Sequence, residues 1–381
     1  MRMKSYAPVA MHIGNRVALA ALIGMGIGAS SPAFAGDELT IEGGLTGVYQ
    51  AASDDRARPE ASLSGDLEIS QSLGNWVLGT HLEGSTTPRF NGVGSLVPGA
   101  NNDSGSALNS RDHGRLQVSE LYVGYSVDDF SATFGLLDAK GFLDGSHVAN
   151  DEAGQFLNHS LVNNPSIEFP DYMLAGVVTL AGEGWRPAVT LLGGGSNGLA
   201  DNPSRSYTEL AQLGAAGKGV FAAAELGWDI EALGKDGALR AGIWTNTADH
   251  TRLDGTESGQ ANTGVYGVVD GTVASFAWNI RAGVADDTVS PVAWFAGAAV
   301  EHPVAEKLTA GLGVTHMAAS DDLGVGFDDS DEAEAYLRYD VVEHVHVTPG
   351  IQYVTNPGLD DTGGVIDDHV WVFGVRLGYD L

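Results

Sequence analysis

The sequence repeats a segment of about ten residues in which apolar and polar side chains alternate. Alternation with a period of two is typical of a β-strand, and no helical period of useful length accompanies it. Residues that favour turns separate the segments, and the separating stretches are short and long by turns. A chain with this pattern is constrained to an all-β fold whose strands pair as hairpins.

We predict sixteen strands, which span residues 38–50, 62–71, 75–84, 115–126, 129–137, 172–181, 185–193, 214–229, 236–247, 263–272, 275–284, 292–301, 306–315, 332–341, 344–354 and 369–380. Tight turns at 73–75, 127–129, 182–184 and 342–343 alternate with longer loops, of which the largest are 85–114 and 138–171. This rhythm predicts an antiparallel transmembrane β-barrel of about 16 strands, with short periplasmic turns and long extracellular loops. A β-sandwich has regularly spaced strands but does not explain the alternation of connection lengths.

The two faces of the predicted strands differ in polarity. In 369–380, for example, Trp371 and Arg376 belong to opposite faces, and 332–341 divides in the same way. Because the polar faces are too rich in charge and Gly to pack as a core, we expect the apolar faces to contact lipid and the polar faces to line a lumen. Pro349 belongs to a lipid-facing set, and we expect a bend or bulge to accommodate it.

The N-terminus is typical of a secretory signal peptide. A basic lead precedes the apolar core 17–29, and Ala33 and Ala35 form a small-x-small cleavage site. We therefore predict a signal peptide at 1–35 and a single outer-membrane barrel domain at 36–381. The chain has no Cys, and its formal net charge of −30 argues against nucleic acid as a partner.

Two separated stretches resemble the carbohydrate-selective porins of the OprB family. The first carries Gly135, Asp138, Phe142, A-N-D-E at 149–152, Q-F-L-N at 155–158, N-P at 164–165 and F-P-D-Y at 169–172. The second is P-x-I-Q-Y-x-x-N-P-G at 349–358, before the predicted last strand. Weaker similarity, as in N-T-G-V-Y at 262–266, extends over most of the chain after the predicted leader.

The resemblance implies a sixteen-stranded barrel of the bacterial outer membrane through which sugars such as glucose pass passively. It also implies one extracellular loop that folds inward, for which 138–171 is the candidate, with Asp151 and Glu152 as its charged pore-lining residues. The implied partners are small sugars, outer-membrane lipid and the barrel assembly machinery. Members usually end in Phe, whereas this chain ends in Leu381.

Opposed acids and bases on the polar strand faces are the further candidates for contacts with sugar hydroxyls, although the same pairs would also brace a barrel wall. The charged candidates are Glu83, Glu120, Arg186, Glu225, Arg240, Asp270, Arg281, Glu301, Arg338 and Arg376, and Trp244 is an inward candidate for contact with the apolar face of a sugar ring. We predict no cofactor and no metal site, and we interpret the acidic loop runs as solvated carboxylates. The sequence is compatible with a monomer or a trimer.

Two other functions stay open at this point. A general cation-favouring porin would use the negative charge to concentrate cations. An outer-membrane hydrolase is the other, since N-H-S at 158–160 contains the residue types of a lipase triad. Three adjacent residues do not converge as a triad requires, which argues against it.

Overall fold

The computed structural model describes residues 38–202, 204–212, 218–324, 327–357 and 368–381, so the predicted signal peptide at 1–35 lies outside the described residues. The strands within these ranges are β1 (Leu39–Ala52), β2 (Glu60–Leu73), β3 (Trp76–Ser85), β4 (Leu116–Val127), β5 (Phe130–Leu137), β6 (Met173–Leu180), β7 (Ala188–Gly195), β8 (Val220–Asp229), β9 (Lys235–Thr251), β10 (Ser258–Val273), β11 (Phe276–Ala285), β12 (Val292–Ala305), β13 (Leu308–Ala319), β14 (Ser330–Val342), β15 (Val345–Thr355) and β16 (His369–Asp380). The short helices are α1 (Val93–Leu96), α2 (His159–Val162) and α3 (Tyr207–Leu210), with 3-10 turns at Ala139–Gly141, Glu231–Leu233 and Asp321–Leu323. No helix in the described ranges is long and apolar enough to cross a membrane.

The strands form one closed barrel. Each strand pairs antiparallel with its neighbours in the chain, and β1 pairs with β16, with Gly44 opposite Asp380 and Ala52 opposite Val372. Closure leaves no strand edge unpaired, which a sheet surrounded by lipid requires. The predicted sixteen-stranded antiparallel barrel is thus confirmed for the described residues, and the short turns all lie on one rim.

The apolar side chains point outward, as the sequence predicts. In β16, Phe373 is 52% exposed, whereas Arg376 is 1% exposed and points inward. The same division occurs in β14, where Leu337 is exposed and Glu334 is buried. The alternation is physically required, because an Arg on the lipid side at mid-membrane costs about 2–4 kcal/mol.

Pro349 occupies the outward face of β15 and is exposed. It lies opposite Val375 of β16, whereas the ladder toward β14 is interrupted between Val347 and Gly350 and resumes in the same register. Of the bend or bulge that we expected, the register therefore shows no bulge at Pro349, and the ladder opens locally toward β14. The gap lies at Pro349, which has no N–H to donate to that ladder.

Part of the barrel interior is an apolar core, which the sequence argument did not predict. Met173, Phe221 and Trp244 point inward from β6, β8 and β9 and pack with Leu143 and Ile167 from the β5–β6 connection. These strands carry apolar residues on both faces, and the connection supplies the matching apolar surface. Our expectation that the inward faces do not pack as a core is therefore wrong for this part of the wall.

Candidate pore constriction

The β5–β6 connection, residues 138–172, lies inside the barrel, and we call it loop 138–172. Glu334 on β14 accepts hydrogen bonds from the backbone N–H groups of Leu157 (3.0 Å) and Asn158 (2.8 Å). Asn158 is also the N-cap of α2, so the same residue begins the helix and joins it to the wall. One buried carboxylate thus holds the middle of the loop against the barrel.

Arg281 on β11 makes the largest set of contacts with loop 138–172. Its guanidinium donates to the backbone carbonyls of Asp144 (3.1 Å), Leu161 (3.2 Å) and Val162 (3.2 Å) and to Oδ1 of Asn150 (2.7 Å). Its Nε lies 3.1 Å from Oδ2 of Asp144. Burial raises the pKa of Asp144 to about 6, and the positive charge of Arg281 opposes that rise. A planar guanidinium with five N–H donors can bind several loop oxygens at once.

Arg376 and Glu301 hold the turn that precedes α2. Arg376 donates to the backbone carbonyls of Glu152 (2.5 Å) and Gln155 (2.7 Å). The side chain of Gln155 donates to Glu301 (2.8 Å), which also accepts a hydrogen bond from the hydroxyl of Tyr336. Two residues that we predicted as lumen charges therefore bind loop 138–172.

Acidic side chains on the wall hold the first part of the loop. Glu225 on β8 accepts from the N–H of Asp144 (2.8 Å), and Glu120 on β4 accepts from the N–H of Asp138 (2.9 Å). Glu83 on β3 accepts a hydrogen bond from the hydroxyl of a tyrosine at the end of the loop (2.8 Å). Each of these buried carboxylates has donors from the loop, as a buried charge requires.

Arg240 and Asp270 pair with each other at 3.1 Å across β9 and β10. His147 of the loop approaches the same carboxylate at 3.4 Å. Burial lowers the pKa of His147, but the hydrogen bond and charge of Asp270 outweigh it, so its pKa lies above the ordinary value. Trp244 is 4% exposed and stacks on Phe221, so its ring belongs to the apolar core instead of presenting a face to water.

A second connection also enters the barrel, which the sequence argument missed. Residues 86–115, which we call loop 86–115, place the carbonyl of Ala100 between Gln50 (2.8 Å) and Gln352 (2.9 Å). The N–H of Asn102 donates to the carbonyl of Leu157 (2.8 Å), so the two loops bind each other. Val93 of α1 and Val97, which follows the helix, pack against inward-facing valines of β15 and β16. The apolar residues Val93, Val97 and Ala100 were the feature of the sequence that could have predicted this packing.

The remaining predicted residues have mixed outcomes. Asp151 accepts hydrogen bonds from the N–H groups of Ala153 (2.9 Å) and Gly154 (3.0 Å), so it shapes a turn of the loop, and the adjacent glutamate is buried. Arg338 faces the lumen with a 20% exposed side chain. The lumen position predicted for Arg186 is wrong, because β7 begins two residues later and this side chain lies on an exposed turn, paired with a glutamate at 2.9 Å.

Several residues of this arrangement were not among our candidates. Glu334 was assigned to the correct face but not proposed as a site residue. Glu332 was interpreted as one of the solvated loop carboxylates, and this is wrong, because it is buried on β14 and accepts from the hydroxyl of Ser160. Tyr266 donates to Glu225 from the neighbouring wall (2.8 Å). The sequence does show two carboxylates two residues apart on the inward face of β14. Because carboxylates inside a barrel need hydrogen-bond donors, this spacing could have predicted a contact with a loop.

Comparison with known proteins gives the family. The model of the carbohydrate-selective porin, OprB family, matches residues 77–381. An uncharacterized protein of Aquifex aeolicus (strain VF5) is 38% identical over 76 residues, which are 20% of this chain and 25% of that protein. The chain therefore spans about a quarter of the length of this relative.

Solved structures share the fold at low sequence identity. The high-pH structure of OprB from Pseudomonas putida has a TM-score of 0.66 at 15% identity, covering 90% of this chain and 94% of the other. The outer membrane channel DcaP of Acinetobacter baumannii has a TM-score of 0.53 at 13% identity and covers 93% and 100%. OmpT of Vibrio cholerae, in a trimer form, has a TM-score of 0.53 at 15% identity and covers 91% and 99%.

The family model and the barrel geometry agree. The match begins in β3 and extends to the end of β16, so it includes both loops that enter the barrel. The outward apolar faces and the closed sheet meet the physical requirements of a protein in a bacterial outer membrane. This chain belongs to the carbohydrate-selective porins of the OprB family.

Proposed function

We propose that this porin passes monosaccharides by passive diffusion along a path that loop 138–172 and loop 86–115 narrow together. The observation that carries this proposal is the use of wall charges to bind loop backbone, with Arg281, Arg376 and Glu334 each contacting at least two loop groups. A loop held by so many charge-assisted hydrogen bonds keeps a fixed position across the lumen. The width of the remaining path, and therefore the largest solute that passes, is then fixed as well.

A narrow polar path suits neutral sugars. A sugar that loses part of its hydration must find replacement donors and acceptors, or its hydroxyl groups are left unsatisfied. Partly exposed groups of both kinds remain inside, among them Asp66, Lys140, Asp171 and Arg338. We expect millimolar occupancy, about −4 kcal/mol, because a tightly held solute would block conduction.

Swelling of proteoliposomes in a series of sugars of increasing size tests this function. Monosaccharides should enter, and the rate should fall steeply for disaccharides and trisaccharides. A variant that lacks residues 149–158 should admit the larger sugars and show a higher single-channel conductance. Equal size limits in the folded wild type and the folded deletion variant would contradict a constriction made by loop 138–172.

A general cation-favouring porin is the second candidate, and one observation favours it. Strands β1 to β3 place Glu42, Asp66, Glu68 and Glu83 on the inward face and contain no Lys or Arg. Two of the inward arginines, Arg281 and Arg376, are committed to loop 138–172, so the acidic wall gives the lumen a cation preference. A reversal potential in a KCl gradient measures this preference, and a sugar-permeable channel with only weak selectivity would favour the first candidate.

Catalysis has no place in this proposal. Asn158 caps α2 with its side chain, Ser160 donates to Glu332, and Nδ1 of His159 lies 2.7 Å from Oδ1 of Asn102. The three side chains of 158–160 therefore serve three different contacts. Refolded protein should leave ester and peptide substrates unchanged, and turnover that survives further purification would support the hydrolase alternative instead.

A further inference from the structure

A cavity of about 300 Å³ lies at the short-turn rim, and its lining residue His346 also contacts loop 138–172, with Nε2 3.3 Å from the carbonyl oxygen of Ala153. It is lined by the ends of β14, β15 and β16 and by the turn between β12 and β13. The side chains that matter below are Lys307, Arg338, Asp340, His346 and Asp380. A volume of this size is at the lower end of small-molecule sites, which measure about 300–1,000 Å³.

The polar groups of this cavity include both donors and acceptors. Asp340 and Asp380 are 49% and 44% exposed, and Nε of Arg338 lies 3.1 Å from Oδ1 of Asp340. Lys307 adds a second cation from the neighbouring turn. Because carboxylates only accept and Arg and Lys only donate, the rim offers complementary partners to a ligand whose groups do both.

His346 provides a second, independent indication of a ligand. Its side chain is 3% exposed and lines the cavity, but its Nδ1 has no hydrogen-bond partner among the described residues. The nearest carboxylate oxygen, Oδ2 of Asp380, is 3.7 Å away, which is beyond hydrogen-bond distance. A buried polar atom left in this state costs free energy, so a ligand hydroxyl that reached it would gain that amount.

We propose that this cavity is a subsite for one hexose ring on the periplasmic side of the constriction. Hydroxyl groups both donate and accept, so they match the carboxylates, the cations and the imidazole together. A free anion would meet Asp340, Asp380 and Glu343, which oppose it, and the described residues contain no cluster suited to a metal ion. The inference rests on sugar passage as the function and adds a place where the sugar pauses before release.

The position of the subsite predicts a block that depends on the side of addition. Raffinose, a trisaccharide, should be too large for the constriction, and the swelling series checks this directly; stachyose replaces it if raffinose enters. Added from the periplasmic side in a planar bilayer, the excluded sugar should insert one ring and reduce the ion current. Added from the extracellular side, raffinose should not reach the subsite, so the ion current should not fall through binding there.

The double variant Asp340→Asn and Asp380→Asn tests the residues. Both side chains are half exposed, so the barrel should fold, and the half-blocking raffinose concentration should rise about tenfold as hydrogen bonds to charged acceptors are lost. The matched control is Glu183→Gln with Asp236→Asn, which removes two exposed carboxylates from the same rim away from the cavity. It should block like the wild type.

Three outcomes would overturn the subsite: no block from the periplasmic side, equal block from both sides, or equal sensitivity in the double variant and its control. Entry of glucose into proteoliposomes is measured separately for each variant. Glucose entry without a sided block rejects the subsite alone, whereas failure of every sugar to enter rejects the proposed function.

Discussion

Replacing Glu334 with Gln should release loop 138–172 from the wall while keeping the size of the side chain. The carboxylate is 3% exposed and accepts from two adjacent backbone N–H groups, those of Leu157 and Asn158, with both oxygens within 3.0 Å of the first. Oε2 of Glu334 already accepts from both N–H groups, so the single acceptor oxygen of Gln can take that position. The negative charge is then lost, and the NH₂ group of Gln faces the N–H of Leu157 in the position of Oε1.

The expected size of this effect follows from the contacts. A hydrogen bond to a charged group contributes about 1.5–3 kcal/mol and one to a neutral group about 0.5–1.5 kcal/mol, and the change applies to two bonds. The docked loop therefore loses about 2–3 kcal/mol relative to a detached loop. Since about 1.4 kcal/mol is a factor of ten, the detached population should rise about 30- to 150-fold.

Single-channel recording in a planar bilayer measures this population as the frequency of large-conductance openings. Glu306→Gln is the matched control, because it makes the same change at an exposed position on a short turn. In the variant that lacks residues 149–158, Glu334→Gln should have no further effect, since the loop donors are already absent. A folded Glu334→Gln channel with an unchanged opening frequency would refute the reasoning.

Three further predictions concern charge and access. Arg338→Cys should react with a charged water-soluble thiol reagent much faster than Arg281→Cys, whose side chain lies under the loop; equal rates would contradict the assigned burial. Asp103 in loop 86–115 accepts a hydrogen bond from the hydroxyl of Ser64 on β2 (2.6 Å). Burial raises the pKa of Asp103 and of Asp144 in loop 138–172 to about 6, so their contribution to docking of the two loops is present below about pH 4 and lost as pH rises through about 6. Large openings should therefore become rarer from pH 7 to pH 5, and an increase would show the wrong sign. Asp66→Asn should lower the ratio of cation to anion permeability in a KCl gradient, by at most about fivefold for a charge worth about 1 kcal/mol in water.

The wall of the barrel was predictable because its rule is local. Each strand must place apolar side chains toward lipid at every second position, so period and facing are written in the sequence of each strand. Trp371, Phe373 and Leu337 were assigned to the outer face on this basis, and the structure agrees. The start of β7 was missed because Pro187 and two glycines lengthen a turn that the alternation alone does not mark.

The interior was less predictable because its rule is not local. Glu225 and Arg281 were recognised as inward charges, but their partners are loop N–H and carbonyl groups 81 and 119–137 residues away in the chain. A sequence pattern shows that an inward charge needs a partner; it does not show which backbone group will provide one. Loop 86–115 was missed for the same reason, since its apolar spacing covers one turn only.

The chemistry of the interior charges divides them into two sets. Arg281 and Arg376 are nearly fully buried and donate to backbone carbonyls, so they fix the position of the loop and present little charge to a passing solute. Arg338 and Asp340 remain partly exposed below them, at the periplasmic cavity. A guanidinium that satisfies several carbonyls at once cannot be replaced by the three donors of Lys without leaving some unpaired. Changes in the first set should therefore act on pore size, and changes in the second set on the residence of sugar, which separates the two functions of charge in this barrel.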